Sequence, residues 1–215
     1  MEKVVGNPML KAEELRDYEL GYRAQLSKRV SLDVSTFRGY YRRLETAEPG
    51  SPYFTSTPGP LHEVFPLILN SLAHARTYGG EVFATWNLTN RWRIAPGFTL
   101  LHMNILRDSG SQDTSASAVV GDSPKHQFEV RNSLTLRHNL DWDTPVYFVG
   151  MLQDGPIPAY TRLDTRLGWR IGEYLELSVA GQNLLRPLHL EFANAFEVDH
   201  TEVERSVVGK MTWRF

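Results

Sequence analysis

Val207-Val208-Gly209-Lys210-Met211-Thr212-Trp213-Arg214-Phe215 closes the 215-residue chain, and Val207, Gly209, Met211, Trp213 and Phe215 interleave with Val208, Lys210, Thr212 and Arg214. A period of two belongs to a strand with two unlike faces. Chain termini are ordinarily polar and frayed, so an aromatic residue ending such a strand needs an environment that keeps it. A wall with lipid on one side and a polar lumen on the other supplies one.

The same alternation recurs upstream. Tyr18, Leu20, Tyr22, Ala24 and Leu26 interleave with Asp17, Glu19, Gly21, Arg23 and Gln25. Soluble strands average ~5 to 6 residues, whereas a tilted barrel strand needs ~9 to 11, so the length of this run favours a barrel. A polar turn, Ser27 to Arg29, leads to Val30, Leu32 and Val34, and then Phe37 and Tyr41 change phase. That change is expected to mark a bulge or the strand leaving the membrane. Further strands follow at Glu81 to Leu88, Trp92 to Leu100, Gln127 to Arg137, Val146 to Leu152, Arg162 to Arg170 and Leu175 to Ala180. With the terminal strand the chain carries about nine.

Connections alternate short and long. Ser27, Asn90, Trp142 and Gly172 mark tight turns. Glu45 to Pro66 contains Pro49, Pro52, Pro58, Pro60 and Pro66 and is expected to be a long loop, because proline cannot serve a sheet ladder. Arg107 to Pro124 and Leu185 to Glu202 are expected to be loops too, and Asp154 to Pro158 a short connection. Short turns on one side and long loops on the other are the pattern of bacterial outer-membrane barrels. Trp86, Trp92, Trp142, Trp169 and Trp213 all lie near a short turn or the terminus, which places a tryptophan girdle at one rim.

Composition narrows the classes. Charged residues make up 22% of the chain and mean hydropathy is −0.34, with no apolar run near the ~18 residues of a membrane-spanning helix. A net charge of −2 gives no basic excess, so no nucleic-acid partner is expected. Without cysteine the chain has no disulfide, thiolate metal site or cysteine nucleophile. Met1 to Leu10 holds a lone Lys3 and no apolar core, so it does not read as a secretory signal.

The segment Asn7-Pro8-Met9-Leu10-Lys11-Ala12-Glu13 followed by Tyr18-Glu19-Leu20-Gly21-Tyr22-Arg23, with Phe37, Tyr40 and Tyr41, Tyr78-Gly79-Gly80-Glu81, Pro158 to Gly168, Gly181-Gln182-Asn183-Leu184-Leu185 and Thr212-Trp213-Arg214-Phe215, resembles the C-terminal part of a TonB-dependent outer-membrane receptor. The matches fall in the family's order across nearly the whole chain. The resemblance implies an all-β, antiparallel, up-and-down transmembrane barrel of the 22-stranded type, of which residues 1–215 would be the C-terminal portion, about nine or ten strands, without the plug domain or the TonB-contacting box. It implies TonB-energised uptake of iron-siderophore or similar complexes in the Gram-negative outer membrane. The partners implied are the lipid bilayer, the barrel-assembly machinery, TonB through an N-terminal part that these residues lack, and an iron chelate. An odd strand count starting outside also fits an interrupted barrel. A soluble β-sandwich binding module and a small passive outer-membrane barrel are the alternatives.

The expected lumen wall includes Arg131, Arg162, Asp164, Arg166 and Lys210, within a mixed-sign set that extends from Glu19 and Arg23 to Arg214. Such charges pair across strands and could hold a plug. Candidate ligand loops lie near His62, His74, Asp113, His189 and Glu191, although no close set of ligands makes a metal site. Trp213 and Phe215 are the expected assembly signal. No cofactor is expected. The chain lacks a Gly-x-Ser-x-Gly elbow, a Walker loop and a His-Glu-x-x-His motif, so no enzymatic activity is expected.

Overall fold

A computed structural model describes residues 1–115, 118–153, 157–191 and 202–215. Its strands are β1 (Glu2–Val5), β2 (Glu14–Ser27), β3 (Val30–Pro49), β4 (Tyr53–Thr55), β5 (His62–Asn87), β6 (Trp92–Arg107), β7 (His126–Arg137), β8 (Leu140–Val149), β9 (Tyr160–Leu163), β10 (Thr165–Ile171), β11 (Leu175–Gln182), β12 (Leu188–Leu190), β13 (Glu202–Glu204) and β14 (Ser206–Trp213). The main sheet has the order β14-β11-β10-β8-β7-β6-β5-β3-β2, so its nine successive strands lie beside their sequence neighbours, as an up-and-down wall requires. β9 and β10 both pair with β8 on either side of Asp164. β12 and β13 form a separate two-stranded sheet.

The chain divides into two compact units. One holds Met1–Glu19, Phe37–Tyr78 and His102–Gly121. In it β4 pairs antiparallel with the start of β5, while β1 lies parallel to Phe65–Ile68. Here the expected loop from Glu45 to Pro66 is corrected: β3 runs on to Pro49 and β5 starts at His62, so Pro49 and Pro66 lie within strands. Proline is tolerated where only its carbonyl is needed, and the Pro66 carbonyl accepts the Gly50 N–H at 2.8 Å. The segment after β6 folds back on this unit. Asp108 N–H donates to the Leu72 carbonyl, Glu48 accepts from the Ser111 hydroxyl and the Gln112 N–H, and Asp113 accepts from the Ala47 N–H.

The second unit holds Leu20–Thr36, Gly79–Leu101 and Asp122–Phe215. Its registers put Leu134 opposite both Trp92 and Trp142, Trp142 opposite Leu167, Trp169 opposite Leu177 and Leu175 opposite Trp213. These aromatic and aliphatic side chains share one face, and Val207, Met211 and Trp213 are 71%, 67% and 69% exposed. A water-soluble sheet would cover such a surface with a second layer. Among the described residues of this unit the only buried apolar side chains are Leu152 and Ile157, so the β-sandwich alternative has no core to build on. The sixth strand begins at Leu140, not near Val146, and Trp142 lies inside it because the tight turn falls at His138–Asn139. The expected loop from Leu185 contains β12 and β13, and its residues 192–201 lie outside the described residues, as do 154–156 of the expected Asp154 to Pro158 connection.

Candidate functional site

Opposite the apolar face of the second unit, one cross-strand row runs Gly97, Glu129, Tyr147 and Arg162, and the next runs Thr99, Gln127, Val149 and Tyr160. Glycine at 97 leaves room for the Phe83 ring, which crosses from β5 into the space a Cβ would fill. These rows floor a recess of about 360 Å³ that Arg131 and Glu191 also line. Its charges are held in place. Arg162 makes a bidentate pair with Asp164 at 3.0 and 2.8 Å, and Arg131 meets Glu129 at 3.1 Å. Asp164 also accepts the N–H of Asn183, a buried residue at φ 53°, a backbone conformation that asparagine tolerates better than most residues.

His189 and Glu191, close in sequence, are brought together. The His189 ring is buried, its Nε2 lies 2.9 Å from Glu191 Oε1, and its centre is 4.5 Å from that of the Tyr160 ring, with the planes tilted by 40°. The other sequence candidates are elsewhere. His62, the first residue of β5, places Nδ1 2.8 Å from the Pro60 carbonyl just before it. His74 Nδ1 meets Asp108 Oδ1 at 2.6 Å. Asp113 is buried and accepts from the N–H of Ala47 and from the N–H and hydroxyl of Ser115, so it serves loop structure. Among the described residues no group of three His, Asp or Glu side chains could hold a metal ion.

Farther along the same face Arg166 bridges Asp143 and Glu176, Arg170 meets Asp141 at 3.0 Å, and Arg214 reaches Glu176 at 3.6 Å. Lys210 stands opposite Ser178, and among the described residues no ion pair engages it. Asp141 and Asp143 fall outside the strand expected from Val146, because β8 begins at Leu140. Their two-residue spacing, in phase with Pro145 and Tyr147, was the available signal. Alternation alone does not point to Tyr160 and Phe83 as lining groups: the register sets Tyr160 opposite Val149, one row from Glu129, and the fold lays the Phe83 ring over Gly97. Trp213 ends β14 and Phe215 lies beyond it, fully exposed. The whole face is a lattice of fixed, opposed charges around an aromatic-walled recess, suited to holding a polar surface or solute by many weak contacts.

The family model for "TonB dependent receptor-like, beta-barrel" matches residues 2–184. Many solved structures share the fold, three of them as follows. The ferric-catecholate import receptor Fiu of E. coli K12 superposes with a TM-score of 0.69 at 19% identity, over 96% of this chain and 28% of that one. The siderophore receptor PirA of Acinetobacter baumannii gives 0.73 at 17%, over 99% and 33%. The FrpB iron transporter of Neisseria meningitidis gives 0.73 at 13%, also over 99% and 33%. A comparison with curated proteins finds no match. The chain thus spans about a third of the length of the receptors it superposes on. With the family model covering most of its length, the chain belongs to the TonB-dependent receptor-like β-barrel family.

Proposed function

We propose that the chain forms the C-terminal part of the barrel wall of an outer-membrane receptor that imports iron chelates or similar complexes, energised by TonB. One observation carries the reading: a sheet whose one face is apolar, exposed and rimmed by five tryptophans, and whose other face is a lattice of ion pairs. That division suits lipid outside and a polar lumen inside. The ferric-catecholate, siderophore and iron receptors that share the fold support the substrate class. Arg131, Arg162, Asp164, Arg166 and Lys210 act as lumen wall, and the segments near His62, His74, Asp113, His189 and Glu191 are the candidates for ligand contact. The bilayer, the barrel-assembly machinery and TonB are its partners. Gram-negative cells carrying or lacking the gene, starved of iron and given labelled ferric siderophores, test this. Loss of uptake of at least one chelate, matched by uncoupling the proton gradient, is expected; unchanged uptake of every chelate, or uptake that ignores the uncoupler, refutes energised import.

A further inference from the structure

Glu14, Arg16 and Tyr18 of β2 and Arg38, Tyr40 and Arg42 of β3 line one recess of about 550 Å³. All six occupy even positions, in phase with Tyr22 and Leu26 on β2 and Val30 and Leu32 on β3, not with the Arg23–Asp33 ion pair. Gly39, at an odd position, turns the other way, toward Thr77 and Leu15. The recess is therefore on the apolar side of the strands. Its depth follows from chain length. Tyr18 lies eight positions before Leu26 and Arg38 eight positions after Val30, and a tilted strand crosses the hydrocarbon in ~9 to 11 residues, so the two tyrosines and three arginines stand at a membrane boundary.

The side chains suit that level. Tyr18 and Tyr40 meet edge to face at 6.3 Å, and the Arg38 guanidinium lies 5.2 Å from the Tyr40 ring centre. The recess has one carboxylate, Glu14, and Arg43 already pairs with it at 2.8 Å. Arg16, Arg38 and Arg42 are exposed, and among the described residues no ion pair engages them. Three uncompensated guanidinium groups around two tyrosine rings, facing lipid at headgroup depth, are complementary to phosphate oxygens attached to an acyl chain. We propose that this recess binds the phosphate groups of an anionic lipid headgroup. Lipid is preferred over free phosphate because the apolar continuation of the same face would receive the acyl chains.

The proposal rests on the membrane reading above, so two measurements separate them. Flotation of the full chain with phosphatidylcholine vesicles tests membrane association alone. Native mass spectrometry of the chain in neutral detergent, titrated with diphosphoryl lipid A, phosphatidylcholine or inorganic phosphate, tests the recess whether or not the chain floats. Retention of lipid A but not phosphatidylcholine is expected. Arg38→Gln with Arg42→Gln should weaken lipid A binding about thirtyfold, since each arginine at an anionic lipid surface contributes roughly fivefold. Arg16→Gln alone should give about fivefold, and Lys28→Gln, at the turn, no change. Equal binding by the arginine variants, or inorganic phosphate displacing lipid A as readily as lipid A itself does, overturns the proposal.

Discussion

Gly97 is the place where a missing side chain shapes the wall. A Cβ there would lie only 2.4 and 2.5 Å from two carbons of the Phe83 ring and 3.0 Å from Glu129 Cγ. Gly97→Ala must therefore push Phe83 off its seat, and overpacking of this kind costs about 1 to 3 kcal/mol. Urea unfolding of the detergent-folded chain should show that loss, and Phe83→Ala in the same chain should recover part of it. Strictly additive losses would sink the explanation, because contact is what couples the two sites. Asn132 illustrates the opposite problem, a polar side chain on the apolar face beside Val130 and Leu134. Trp92 resolves it by donating its indole N–H to Asn132 Oδ1 at 2.7 Å, as Trp142 does for Thr165 at 2.9 Å. In urea unfolding of the detergent-folded chain, Trp92→Phe should cost about 0.5 to 1.5 kcal/mol, the net contribution of an ordinary exposed hydrogen bond, and adding Asn132→Leu should return most of it. Neither pairing was legible in sequence, since alternation says which face a residue takes but not which neighbour the register gives it.

The latch after β6 carries an acid dependence that can be given a sign. Burial works to raise the Glu48 carboxyl, but the hydrogen bonds from the Ser111 hydroxyl and the Gln112 N–H outweigh it and hold its pKa below its ordinary value of 4.5. Glu48 lies eighteen positions past Val30, well beyond the ~9 to 11 residues that cross the membrane. A depressed pKa means that the carboxylate's contribution is complete above 4.5 and is lost as pH falls through the lower value of the folded chain. Amide exchange at Gln112, corrected for intrinsic pH effects, should therefore accelerate in that acid window. Glu48→Gln should produce about a tenfold acceleration at neutral pH, the equivalent of roughly 1.4 kcal/mol from one charge-assisted bond. Unchanged exchange in the variant would show that the latch holds by other means. The sequence hid this element because five prolines between Glu45 and Pro66 argued for a loop, whereas the strands extend over Pro49 and Pro66 and set Glu48 opposite the segment it captures. The nine alternating runs were readable because each face meets a different solvent, so every second residue had to change chemistry. Partners within the charged lattice, such as Asp141 and Asp143, depended on register and were not.

In the second unit the five tryptophans define a plane as well as a face. Cross-strand pairing through Leu134, Leu167, Leu177 and Leu175 links Trp92, Trp142, Trp169 and Trp213, and Trp86 adjoins Asn87, whose N–H donates to Arg29 in the neighbouring turn. Indole rings favour the headgroup level, where the ring is apolar and the N–H reaches a polar partner. A soluble sheet would bury them at no particular depth, so their common level is what a bilayer adds to the fold. Phe215 stands just past Trp213 and is fully exposed, while Arg214 N–H donates to the Tyr174 carbonyl. If Phe215 serves the assembly machinery, as proposed, and not packing, Phe215→Ser should leave detergent refolding of the purified chain unchanged and reduce its heat-modifiable form in cells. Equal loss in both settings would make the residue structural. Depth is the sharper test. In phosphatidylcholine vesicles brominated near the headgroup end of the acyl chains, tryptophan fluorescence should be quenched strongly; with bromines at the chain ends, near the midplane, quenching should be weak. Strong midplane quenching would place the indoles inside the hydrocarbon and remove the rim. Equal, weak quenching by both lipids would mean that the face exposing Trp169, Met211 and Trp213 never meets a bilayer.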